Sequence, residues 1–127
     1  MYMNQSRQNQ SIQKAKEFYF SLADTIACKC LGFEVQRSRI AWDQLINKKN
    51  RKKSQTYFRS KITYHLEQIL NQSHFYQFHS IDKFGNNFWS IQDVVDHICC
   101  EIVIRKCGNQ NPQIYSMVYK GGSPRHI

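Results

Sequence analysis

Seven of the fourteen residues from Lys48 to Lys61 are basic and none is acidic. Lysine and arginine at that density grip phosphates. Each neutralised phosphate releases condensed counterion, so such binding weakens steeply with salt. Lys48, Lys49, Arg51, Lys52, Lys53, Arg59 and Lys61 are the expected phosphate contacts. Gln55, Thr56 and Arg59, near the start of the helix expected to follow, are placed to reach base edges. The bland alternatives are a solvated loop or a targeting patch.

A second set is aromatic: Phe75, Tyr76, Phe78, Phe84, Phe88 and Trp89. Exposed rings stack on unpaired bases, but a chain of 127 residues needs most of these rings in its core. If any ring is exposed for base stacking, Tyr76 or Phe84 is the expected one. A third set is Cys28, Cys30, His97, Cys99, Cys100 and Cys107. A helical Cys28-x-Cys30 would turn its thiols about 200° apart, and no Cys-x-x-Cys occurs. Buried free thiols acting as small hydrophobes are therefore expected, with no metal and no cofactor. A fourth set is His74, His79, Asp82 and Lys83. Two histidines around a phosphate would suit a metal-free ribonuclease, but residues five apart on a strand face opposite ways. Neither paired carboxylates, a glycine-rich phosphate loop nor a nucleophile elbow is present. The expectation is a protein that is not an enzyme.

These sets must be held by elements. Ile12, Ala15, Tyr19, Leu22, Ala23, Ile26 and Cys30 recur at three- and four-residue steps and predict a helix from Ser11 to Leu31, stopped by Gly32. Ser38 caps an expected helix to Asn47. A third helix is expected from Ser54 or Thr56 to Asn71, with Phe58, Ile62, Leu66, Ile69 and Leu70 inward. His74–Ile81 reads as a strand, 82–87 as a turn, and Phe88-Trp89 as a short return strand. Ile91, Val94, Val95, Ile98, Cys99 and Ile102 predict a fourth helix from Ser90. Strands at 102–106 and Ile114–Tyr119, joined through Gly108–Pro112, complete a C-terminal hairpin.

The expected fold is α+β: a small single domain over 11–120, with a disordered arm at 1–10 and a flexible tail at 121–127. Three helices followed by a hairpin is the order of a winged helix-turn-helix, a likeness of element order only. The long basic loop between the second and third helices departs from it. On the last strand, Met117 and Tyr119 are candidates for a partner interface along an open edge.

The net charge of +9 favours anionic partners. It is polarised: nine basic residues and one acid between Val35 and Leu66, against four acids and one base between Asp82 and Glu101. No run of eighteen apolar residues predicts a membrane span, and no leader pattern is visible. Five cysteines without framework spacing suit a reducing compartment, so an intracellular site, cytoplasmic or nuclear, is expected. The first functional expectation is a nucleic-acid-binding accessory subunit or regulator, on DNA more than RNA. The second is a protein-interaction module or inhibitor docking on a nucleic-acid enzyme, of phage or mobile-element type. The third is a small ribonuclease or toxin.

Overall fold

The computed structural model describes residues 5–47 and 53–120. Its frame is a six-stranded mixed sheet curled into a half-barrel, with helices over one face. In chain order the elements are α1 (Gln5–Ser21), β1 (Thr25–Cys28), β2 (Phe33–Gln36), α2 (Arg39–Asn47), α3 (Lys53–Ser60), a 3₁₀ segment (Lys61–His65), α4 (Leu66–Gln72), β3 (Phe78–Ile81), β4 (Asn87–Val95), β5 (Ile98–Lys106) and β6 (Gln113–Lys120). The spatial order is β1-β2-β6-β5-β4-β3. All neighbours are antiparallel except β2 and β6, which run parallel and meet at Gln36 and Gln113.

This architecture overturns the winged-helix expectation: the chain is a six-stranded sheet backed by helices, and it has no helix from Ser90. That segment is β4 and β5, paired from Asn87↔Lys106 to Val95↔Ile98. The error has a geometric source. Inward residues of a strand recur every two positions, but Asp96-His97 inserts a two-residue turn. The inward set Ile91, Val95, Ile98 and Ile102 is thus spaced four, three and four, which is a helical rhythm. Both turn residues have positive φ, 51° and 66°, the geometry of a tight primed hairpin turn. Asp and His tolerate it better than most residues but carry no glycine signature. Replacing His97 with glycine should relieve left-handed strain and raise stability by about 1 kcal/mol, read as a rise in the urea midpoint.

The first helix is likewise shorter than its apolar stripe. α1 ends at Ser21, and Ile26 and Cys28 are buried on alternating positions of β1. Gly32, expected to stop a helix, closes the β1–β2 turn at φ 74°, where its N–H bonds Cys28 C=O at 3.0 Å. α1 also begins within the stretch expected to be disordered. Residues 1–4 and the tail 121–127 lie outside the described residues.

Several features stand as read. Ser38 caps α2, accepting the Ala41 N–H at 3.2 Å. The C-terminal hairpin pairs β5 with β6, with a register shift at Val103/Ile104. The third helical stretch is broken in the middle. Ser60 Oγ donates to Tyr57 C=O at 2.6 Å and Thr63 Oγ1 to Ser60 C=O at 2.8 Å, and such back-bonding favours a tightened turn.

The core lies between helices and sheet. Ala15 and Tyr19 of α1, Ala41, Trp42 and Leu45 of α2, and Ile62, Leu66, Ile69 and Leu70 meet Val35, Ile91, Cys100, Ile102, Ile104, Ile114 and Met117. Tyr19 and Trp42 stack at 6.0 Å. Arg37 binds the carbonyls of Phe20, at 3.0 Å, and Leu22, and pairs with Asp24 at 3.3 Å. It therefore satisfies orphan acceptors at the end of α1 instead of adding to a free basic face.

Candidate interaction surface

The strand order leaves β3 outermost, with β4 on one side and, among the described residues, no strand on the other. β3 is a four-residue edge strand with every side chain exposed, and edge strands are the usual templates for adding another strand. Its apolar content is high. Phe75, Tyr76, Phe78, Ile81 and Phe84 are all exposed, Ile81 at 62% and Phe84 at 77%. Large apolar residues gathered along one unpaired edge mark an interaction surface more often than chance exposure does.

The turn after β3 holds this surface in shape. Asp82 Oδ1 accepts the N–H groups of Phe84 at 2.8 Å and Asn86 at 3.0 Å, and Oδ2 takes the Asn86 amide at 3.1 Å. The Asn86 backbone bond leads in holding the Asp82 carboxyl below its usual range, helped by Asn86 and Phe84 and by the Arg105 charge. Gly85 supplies φ 83°. With the carboxylate occupied in this way, Phe84 is pushed outward, and the Lys83 ammonium lies 5.1 Å from its ring.

His79 does not pair with His74. Its ring stacks on Trp89 at 5.1 Å and 8°, and its Nε2 lies 2.8 Å from Asn87 Oδ1. Trp89 in turn meets Phe33 edge-on at 5.8 Å. The face of the sheet away from the helices carries a polar patch. Glu101 Oε2 accepts from Ser90 Oγ at 2.6 Å and from Gln92 Nε2 at 3.0 Å. The Arg105 guanidinium lies over Tyr115 at 4.5 Å, and Tyr115 contacts Phe88 edge-on.

The basic stretch divides. Lys48, Lys49, Arg51 and Lys52 lie outside the described residues, as do the side chains of Lys53 and Gln55. Thr56, placed above at base edges, is 8% exposed and belongs to the interior. Arg59 is partly buried, and burial lowers its pKa. The Lys61 ammonium sits 4.7 Å from the Tyr57 ring. Tyr76 and Phe84 are on the surface. Met117 is 2% exposed and packs in the core, so it offers nothing to a partner; Tyr119 is exposed. β6 meets β2 only at Gln113, so among the described residues no strand pairs with its outer side from Ile114 to Lys120.

Ile81 and Phe78 were missed as surface residues because alternation marks two faces without saying which strand is outermost. The thiols were misplaced for a related reason. Cys28 ends β1 and Cys30 sits in the following turn, so their sulfurs lie 3.9 Å apart, not on opposite sides of a helix. Among the described residues no group of three or more His, Cys, Asp or Glu could hold a metal ion. None of the described helices is long and apolar enough to cross a membrane.

Fold and surface together define a helix-backed, curled α+β sheet with an unpaired apolar edge. No protein-family model, curated protein or solved structure matches this chain.

Proposed function

We propose that this chain is a protein-interaction module that receives an extended, acidic segment of a partner along β3. The observation that carries this reading is the position of β3, outermost among the described strands, beside exposed Phe75, Ile81 and Phe84. Strand addition draws affinity from main-chain hydrogen bonds and selectivity from alternate side-chain contacts. The chemistry of the partner follows from charge. Lys83 lies two residues beyond the end of β3, and Arg105 and Lys106 pair with Phe88 and Asn87 of β4, the residues opposite Ser80 and Ile81. Asp82, the nearby acid, is held by its own turn. A net charge of +9 adds long-range attraction for carboxylates.

The test compares the wild-type chain with an Ile81→Lys variant as bait in nuclease-treated lysate of the native host. A lysine on an edge strand opposes further pairing without disturbing a core. The wild type should retain a stoichiometric protein with an acidic segment, and the variant should lose it while keeping the same melting temperature. Equal retention by both chains overturns the proposal.

A nucleic-acid reading draws on a different observation: Tyr76 and Phe84 are exposed and Lys83 is beside the latter. It would use these rings as stacking platforms for a single strand, with residues 48–61 gripping the backbone. It predicts that Phe84→Ala weakens binding to a fluorescent single-stranded oligonucleotide by roughly 1–3 kcal/mol. No binding at low salt would exclude it.

A further inference from the structure

Cys28 and Cys30 bracket Lys29 at the β1–β2 turn, with Sγ atoms 3.9 Å apart. Cys28 is 2% exposed, while Cys30 is half-buried. The turn borders an open cavity of about 500 Å³, lined by Cys28, Lys29, Gly32, Phe33, Glu34 and Asn71. Cys28 thus lines a space that admits small molecules, and the Cys30 sulfur lies within reach of its thiol. Neither sulfur is needed to build the proposed β3 surface, which lies at the opposite end of the sheet.

We propose that Cys28 and Cys30 form a peroxide-oxidisable dithiol that closes reversibly to a disulfide. The Cys28 thiolate attacks one oxygen of hydrogen peroxide, breaking the O–O bond and forming a sulfenic acid; the departing hydroxide takes a proton. The Cys30 thiol, giving up its own proton, then attacks the sulfenic sulfur, forms the S–S bond and expels the hydroxyl as water. Two thiols and one peroxide give one disulfide and two waters. The sulfurs together lose two electrons and the peroxide gains them.

The physical requirements are a reachable thiolate and a resolving thiol beside it. The sulfur–sulfur hydrogen bond supplies the first: it is the chief cause that lowers the Cys28 pKa to about 7, against the opposing effect of burial. The same bond, with burial and the neighbouring thiolate, raises Cys30. A pair so coupled releases one proton readily and holds the second. Its seclusion selects for an oxidant of peroxide's size. A disulfide across two positions of a tight turn is strained and hence readily reduced again.

The experiment treats the reduced full-length chain with one equivalent of hydrogen peroxide, followed by thiol counting and trypsin mapping without reductant. Trypsin cuts after Lys29, which separates the two cysteines. Two thiols per chain should disappear, and peptides 17–29 and 30–37 should stay joined until reductant is added. Cys30→Ser lacks the resolving thiol and should stop at a sulfenic acid on Cys28, read by mass spectrometry as the gain of one oxygen. Its circular dichroism should match the wild type, because Cys30 is only partly buried and serine is close to it in size. The oxidation rate should be half-maximal near pH 7 instead of near 9. Overturning results are an unchanged thiol count, a disulfide involving Cys99, Cys100 or Cys107 instead, or a Cys30→Ser chain that folds but gains no oxygen on Cys28.

Discussion

Ile102→Ala should lower folding stability by about 2–5 kcal/mol, and Val94→Thr should leave it within about 0.5 kcal/mol. Ile102 sits at mid-length in β5, directly opposite Ile91 of β4 and Met117 of β6. All three are at most 2% exposed. Truncating Ile102 leaves a void between two packed neighbours that their own strand pairings hold in place, so little collapse can fill it. A domain of this size has roughly 5–15 kcal/mol in hand, so the loss corresponds to roughly 10–20 °C in melting temperature. Val94 supplies the contrast. A helix from Ser90 would bury Val94 and Val95 together, whereas the strand puts Val95 inside and leaves Val94 exposed. Urea unfolding of both variants decides between the two geometries. A large loss for Val94→Thr with a small one for Ile102→Ala would contradict the β4–β5 hairpin.

That hairpin also shows where the sequence was legible. Ile91, Val94, Val95, Ile98, Ile102, Val103 and Ile104 are β-branched, a composition that favours strands. The spacing argument outweighed it because the Asp96-His97 turn restores a four-three rhythm. Local chemistry read well where one residue fixes one bond: Ser38 at the start of α2, and the Asp82–Asn87 turn. The inward stripe of the third helical stretch also held at Ile62, Leu66, Ile69 and Leu70. What was hidden was long-range. Strand order depends on the single parallel contact of Gln36 with Gln113, 77 residues apart by subtraction of their numbers, and no local pattern encodes it. Because that contact places β2 beside β6, β3 becomes the outer edge, and Phe78 and Ile81 become surface. The interaction surface was therefore legible as an aromatic cluster and illegible as a position. The charge count misled in a similar way, since Arg37 and Arg39 are engaged with Asp24 and Asp43.

Tyr19→Phe should cost roughly 2–4 kcal/mol despite preserving the ring. The Tyr19 hydroxyl donates to Ser38 C=O at 2.6 Å and accepts the Ser38 N–H at 3.1 Å. Ser38 in turn caps α2 and donates its own hydroxyl to Ile114 C=O in β6. One phenol thus ties α1 to the point where α2 meets the sheet. Tyr19 is wholly buried and Ser38 nearly so, so phenylalanine strands a donor and an acceptor where water cannot replace the lost partner. The phenol also sets an alkaline limit on stability. Burial pushes its pKa from 10.0 up to about 12, opposed by the Ser38 hydrogen bonds and the Arg37 charge. An acid whose folded pKa is raised keeps its proton in the folded chain while the unfolded chain loses it. Its contribution is therefore intact below pH 10 and is lost as pH rises to about 12, by on the order of 2–3 kcal/mol. Cys100, pushed up to about 11 by burial, acts in an overlapping window but is common to both chains and cancels in the comparison. Urea midpoints measured at pH 8 and pH 11.5 should converge between wild type and Tyr19→Phe. A constant gap across that range would show that Tyr19 ionises as freely in the folded chain as in the unfolded one, and would remove the buried hydroxyl link between α1, α2 and β6.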